Sequence, residues 1–256
     1  MNKTLASLSR DHRRALETAV ARARAEAEPG AAKAVQALGV GAAAAPGHLN
    51  DEQAALRVAL RAHGRQIGDR LLADGKAQTV DHLVAEVAYE HWHRMLFARF
   101  LAESNLLLHP DGYPVTIADC KEDAPLLQPP ARSEWEAAGR YASTMLPQVF
   151  RAGSPALALE LPLEAQQALE ALLADLPAEV FAADDSLGWS YQFWQAPRKA
   201  EVQRQMKQAG TKVGADELPA VTQLFTEPYM VAFLLENSLG GWWLGRHPGK
   251  PLPVAM

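Results

Sequence analysis

Few residues of this chain stand where they could do chemistry, and the most promising run is Thr222-Gln-Leu-Phe-Thr-Glu-Pro-Tyr-Met-Val231, followed at once by Ala-Phe-Leu-Leu-Glu-Asn-Ser-Leu-Gly240. Its residue types suit holding a ligand. Phe225 offers a flat apolar wall, and the Thr226 hydroxyl can bond a polar atom. A helix starting near Pro228 would add unpaired backbone N–H groups and the positive end of a helix dipole. Proline fits the first turn of such a helix. The same residues also suit an ordinary helix N-terminus with Thr226 as its cap.

Other arrangements are weaker. Glu90-His91-Trp92-His93 contains one Glu-x-x-His, with Glu86 a turn earlier, but a di-iron bundle site needs a second such pair on another helix, and the sequence has none. Two residues turn a helix by about 200°, so His91 and His93 lie on different faces. No metal site is expected. Gly39-Val-Gly41 imitates a dinucleotide loop without the preceding strand that motif demands, and reads as linker. Cys120 sits beside Asp119, Glu122 and Asp123, which disfavour its thiolate. No serine occupies a Gly-x-Ser-x-Gly elbow.

Charge is segregated in the second half. From Ala152 to Pro197 there is no Lys or Arg, whereas Arg198, Lys199, Arg204, Lys207 and Lys212 follow against Glu201 alone. Bases so clustered could contact phosphates, with salt-dependent affinity; a solvated charged helix is the other reading. Gly210 and Gly214 suggest a mobile loop there. Arg10, Arg13, Arg14, Arg22 and Arg24 form a second cluster with the same two readings.

The bulk numbers permit a substantial core. The 256 residues are 48% hydrophobic and 21% charged, with a net charge of −5, which argues against a uniformly basic module but not against a local basic face. The single cysteine excludes an intramolecular disulfide and fits a reducing compartment. No run approaches the roughly 18 apolar residues of a membrane span, and the start lacks a signal-peptide core. A soluble, cytoplasmic protein with no membrane partner is expected.

Helices must position these residues. Ala, Arg and Glu favour a helix over 3–28, with Leu5, Leu8, Leu16 and Val20 as a thin stripe; 29–47 turns to Gly, Ala and Pro and reads as a linker. Asn50 and Gln53 form a capping box for the next helix, which Gly75 is expected to close. Over 79–103, Val80, Val84, Val87, Ala88, Trp92, Met95, Leu96 and Phe100 recur at steps of three and four on one face. His109-Pro-Asp-Gly112 is a turn and Val115–Ile117 a possible short strand. Ser133 and Glu136 cap a helix reaching about Phe150, and Pro162 and Pro177 bound another from Leu163 to Leu176. Trp189, Tyr191, Phe193 and Trp194 read as packing, with base stacking as the alternative.

The Gln223–Val231 run resembles the opening Gln-aromatic-aromatic-Thr-Pro turn of the amino-class N6-adenine DNA methyltransferases. Two further runs resemble BREX-type (PglX-like) and related large enzymes of that kind. Ala88–Arg94 with Ala98–Glu103 resembles a helix near their front, and Ser186–Trp194 resembles their Gly-Trp-Leu-Tyr-Gln-Tyr-Tyr segment. Departures are Thr226-Glu227-Pro228, where the family has Thr followed directly by Pro, and His91 and His93 at positions usually neutral. The first 75 or so residues carry no resemblance.

The resemblance implies a mainly α fold, a helical N-terminal region leading into the start of a Rossmann-like methyltransferase domain truncated here. The expected division is 1–47 (helix and linker), 48–155 (helical domain), 156–218 (acidic helical segment and basic loop) and 219–256 (start of the methyltransferase domain). It implies S-adenosylmethionine as cofactor, faced by Gln223, Phe225, Thr226 and Pro228. DNA is the implied partner, met by Arg198, Lys199, Arg204 and Lys207, within a phage-defence system of the BREX or restriction-modification kind. The family's Asp-Pro-x-x-Gly-x-Gly and Asn-Pro-Pro-Tyr loops are missing from these residues. No catalytic residue is therefore expected here, nor activity without a C-terminal catalytic half or other defence-system subunits. A stand-alone helical module that binds DNA or a partner subunit is the reading from another class.

Overall fold

The computed structural model describes residues 7–151, 153–209 and 225–251. They form helices joined by short turns. Among the described residues there is no strand, and β pairing is confined to two isolated antiparallel bridges, Leu71 with Gln78 and Leu108 with Pro114. The chain is mainly helical, as the sequence implies. It divides into two compact units, one of Met1–Val20 with Pro177–Met256, the other Ala21–Leu176.

The first helix, α1 (Arg10–Ala37), runs through the segment expected as linker, with Pro29 inside it. Ala23, Ala27 and Ala31 are fully buried and Val35 nearly so, so packing of the best helix former offsets the amide that proline lacks. The helix ends at Gly39, where φ is +60°. The Gly39 N–H donates to the Gln36 carbonyl and the Val40 N–H to that of Val35, a Schellman closure. Gly39 is thus a helix stop. The carbonyls beyond it are gripped from α2 (Asp51–Gln66), where Arg57 donates to Gly39 and Ala42, and Arg61 to Val40 and Ala42.

The Asn50–Gln53 capping box forms as expected, but α2 closes at Gln66 rather than near Gly75. Gly75, at φ +67°, instead turns the chain between bridge partners Leu71 and Gln78. The next helix, α3 (Asp81–Glu103), has no side-chain cap of its own at Val80. A distant carboxylate replaces it. Asp69, 4% exposed, accepts the His82 N–H at Oδ1 and the Leu83 N–H at Oδ2, both at 3.1 Å.

The apolar face expected on α3 is buried at Val87, Ala88, Trp92, Met95 and Leu96, but so are Leu83, Glu90, Ala98, Arg99, Leu101 and Ala102. A helix buried all round is central rather than amphipathic. It contacts α2, α5 (Glu134–Met145), α7 (Pro155–Ala158) and α8 (Leu163–Ala174). Between them lie α4 (Ile117–Asp123) and α6 (Pro147–Phe150). The strand expected at Val115–Ile117 is absent because Thr116 and Asp119 form a capping box that starts α4 there. The helix expected to reach Phe150 breaks at Leu146, before Pro147. The other unit holds the start of α1, then α9 (Ala178–Ala182), α10 (Ser186–Ala209), α11 (Pro228–Leu235), a π-helical turn (Glu236–Gly240) and α12 (Gly241–Arg246).

Two expectations follow from this packing. Asp69→Ala leaves two helix-end N–H groups without an acceptor, so it should lower unfolding free energy by about 2 kcal/mol, read by chemical denaturation. The second concerns His91, whose ring nitrogen Nε2 donates to the Leu159 carbonyl at 2.9 Å. Burial pushes its pKa down from 6.5 to about 4 despite that bond. A folded-state value below the unfolded one means stability is full above pH 6.5 and is lost as pH falls toward 4. The decline should reach as much as about 3 kcal/mol. Denaturation of His91→Gln across that window should show a flatter dependence than the parent chain.

Candidate functional site

Steps of three and four residues put Asp185, Gly188, Trp189 and Gln192 on one side of α10. Asp185 is 1% exposed, so its carboxylate must find donors. The Leu8 backbone N–H donates to Oδ1 at 2.8 Å and the Trp189 indole N–H to Oδ2 at 3.1 Å. The second bond gives the buried indole the polar partner it needs. The Arg13 guanidinium lies 3.9 Å from the centre of the Trp189 ring, a cation–π contact. Trp189 is therefore held by its edge and one face.

Phe225 seats on this surface. Its ring centre is 5.5 Å from that of Trp189 at a tilt of 56°. A side-chain carbon at Gly188 would overlap the Phe225 ring, so only glycine leaves room for it. The Phe225 backbone N–H donates to Gln192 Oε1 at 3.0 Å. The run Ser186–Trp194 and Phe225, distant in sequence, thus meet in one unit. Phe225 is half-buried and Thr226 exposed. The helix α11 starts at Pro228 as expected, but its flanking residue is Glu227 and no side chain caps it. Thr226 is not its cap. Gln223 lies outside the described residues.

The four candidate phosphate-binding residues lie on the second half of α10, with Arg198, Arg204 and Lys207 exposed and Lys199 half-buried. At about 100° per residue they spread over roughly two thirds of the helix circumference rather than along one stripe. Arg204 is paired with Glu201. Lys212, Gly210 and Gly214 lie outside the described residues.

The remaining candidates are packed. The Cys120 thiol is buried and its pKa is raised to about 12, by burial first and then by Asp123 and Asp119, so the carboxylates read from the sequence are the lesser cause. His93 stacks on Tyr89 and meets the Phe97 ring at a tilt, and burial depresses its pKa. Trp194 is buried with Trp189, while Tyr191 and Phe193 are half-buried. Among the described residues no three His, Cys, Asp or Glu are placed to hold a metal ion.

Sequence reasoning missed Asp185, Gly188, Gln192 and Arg13 as parts of this arrangement. Signals existed for two of them. Asp185 stands four residues before Trp189, the helical spacing of neighbours, and a glycine inside a helical run often marks close approach.

Over 114 residues the chain is 33% identical to the adenine-specific methyltransferase BrxX of Escherichia coli O9:H4 (strain HS), covering 43% of this chain and 9% of that protein. It is 30% identical over 106 residues to the adenine-specific methyltransferase PglX of Lacticaseibacillus casei (strain Zhang), covering 39% of this chain and 8% of that protein. The chain is related to the PglX-like adenine-specific methyltransferases. This is the relationship its motifs imply, and the matched stretch spans less than a tenth of either PglX-like relative. No protein-family pattern and no solved structure matches the chain.

Proposed function

We propose that this chain supplies the helical front part and first cofactor-facing turn of a site-specific adenine-N6 DNA methyltransferase serving a BREX or restriction-modification defence system. The observation that carries this reading is the 114-residue match to an adenine-specific methyltransferase. A Rossmann-like catalytic domain, entered near residue 219, belongs to the proposal, as do the division of the chain at 47, 155 and 218 and a cytoplasmic place of action. Among the described residues no helix is long and apolar enough to cross a membrane.

S-adenosylmethionine would supply a methyl group on a sulfonium sulfur. This chain's residues would bind and orient. Phe225, half-buried against Gly188 and Trp189, would wall off the ligand's apolar side. Thr226, exposed and not occupied in capping, would offer a hydroxyl to a polar atom. The first turn of α11 carries no capping side chain. Pro228 has no N–H and the Met230 and Val231 N–H groups donate to the Glu227 carbonyl, so the Tyr229 N–H is the one of this turn proposed to meet an acceptor. Pro228 would start that turn, and Gln223 completes the proposed set. The fit is to one wall of a pocket, and the 256 residues alone are proposed not to methylate. Tyr229, Phe233, Leu234, Leu239 and Trp242 all stand exposed on α11, the π-helical turn and α12. Apolar side chains at this density are usually covered by protein, which supports an attached or associated catalytic half.

Arg198, Lys199, Arg204 and Lys207 are proposed to face DNA. Replacing them with Glu should weaken duplex binding and flatten its dependence on salt, measured by fluorescence anisotropy over a salt series. Unchanged affinity would return them to the solvated surface.

The cofactor turn is tested in a protein carrying this chain together with the Asp-Pro-x-x-Gly-x-Gly and Asn-Pro-Pro-Tyr loops. There Phe225→Ala should raise the KM for S-adenosylmethionine by an amount worth about 1–3 kcal/mol of lost apolar contact. The melting temperature without cofactor separates this from a folding defect. A lower melting temperature with unchanged cofactor kinetics would make Phe225 plain core.

A further inference from the structure

We propose that Gln192 is a positioning residue for the cofactor-facing turn, fixing from behind where the Phe225–Thr226 backbone stands without touching the ligand itself. The inference rests on the reading of that turn as a cofactor wall.

Three observations meet on this one residue of the turn. The Phe225 N–H finds its acceptor in the side chain of Gln192, 33 residues earlier, rather than in a neighbouring carbonyl. The Phe225 ring leans on Trp189 and occupies the space that Gly188 leaves by having no side chain. Trp189 is itself immobilised through Asp185, which the Leu8 N–H and the indole N–H both engage, and through the Arg13 guanidinium over its face.

A half-buried ring can slide over its neighbours. A hydrogen bond to the same residue's amide fixes the backbone directly, and Thr226 comes next in the chain. The position of its hydroxyl is therefore constrained by an α10 side chain bonded to the preceding amide. A turn held ready costs less to order on binding. Loss of the bond should weaken cofactor binding and leave the chemical step unchanged, since the reacting groups belong to other loops.

The test compares Gln192→Leu, which removes the acceptor at similar size, with Gln192→Glu, whose carboxylate still accepts an N–H. In the 256-residue chain, amide exchange followed by NMR should show faster exchange at Phe225 in Gln192→Leu and near-parent protection in Gln192→Glu. In the methyltransferase carrying the catalytic loops, Gln192→Leu should raise the KM for S-adenosylmethionine about three- to tenfold. Its kcat should stay within about twofold, and Gln192→Glu should restore KM.

If Phe225→Ala raises KM and Gln192→Leu does not, Gln192 has no positioning role and the proposal falls alone. Should Gln192→Glu fail to rescue, with kcat and melting temperature falling in both variants, the residue is structural and the proposal is equally overturned. If Phe225→Ala also leaves KM unchanged, the cofactor reading fails and the positioning role fails with it, while the exchange result still reports on the hydrogen bond.

Discussion

A helix packed on every side has little solvent to offer its polar side chains, and α3 carries Glu90 and Arg99, both buried, and His91 and Arg94, both half-buried, into that position. Each finds a partner on a different segment. Glu90 meets Arg151 at 2.7 Å, His91 meets the Leu159 carbonyl at 2.9 Å, and Arg99 donates to the Leu176 carbonyl at 2.8 Å. The Arg94 guanidinium lies against Gly139, where a side-chain carbon would come within 2.7 Å of Nε, and reaches the Ser143 hydroxyl. Those partners follow α6, α7 and α8 or lie in α5. Apolar burial would tolerate several arrangements of these short helices around α3. Buried charge does not, because a misplaced partner leaves an ion unpaired at several kcal/mol. The polar residues of α3 thus select the arrangement that its apolar residues stabilise. Burial raises the pKa of Glu90, and the Arg151 guanidinium pulls the other way.

The other unit repeats this logic on a smaller scale. A single buried carboxylate, Asp185, joins the segment ahead of α1 to the first turn of α10, and its second oxygen orients the indole on which Phe225 rests. The two units differ in how completely they enclose their apolar residues. In Ala21–Leu176 the large apolar side chains of α3 are mostly buried, whereas along α11 and α12 they stand in solvent. A segment so apolar is built to be covered, and its chemistry is that of an interior surface.

The helices were legible wherever local signals agreed. The Asn50–Gln53 box, the proline-bounded α8 and the start of α11 at Pro228 are all where capping and proline rules put them. Local signals misled where packing outweighed them. Pro29 and Gly30 read as a break, yet α1 continues because its alanines are buried and because Gly30 lies where a side-chain carbon would come within 2.7 Å of Ala165. The periodicity of α3 revealed one face, since a helix buried all round differs from an amphipathic one only in which polar residues have partners, and partners are not written in spacing. The same limit applied at the candidate site. Phe225 and Thr226 could be singled out by type, but nothing local connects Phe225 to Gln192, and Asp185 counted only as one acid of an acidic run.

The state of Phe225 bears on what its surface is for. A ring wholly inside a core could not serve as the wall of a pocket, and one wholly in solvent would not keep its place. Phe225 is between these limits, with one part against Gly188 and Trp189 and its amide tied to Gln192. Contacts that resemble core packing are therefore what a fixed wall requires on its hidden side. Beyond it the chain presents in order an exposed hydroxyl at Thr226, a helix start without a capping side chain and a run of exposed apolar residues. A braced ring followed directly by a polar group, a helix end and an apolar surface is the arrangement expected where one part of a binding pocket is presented to the rest.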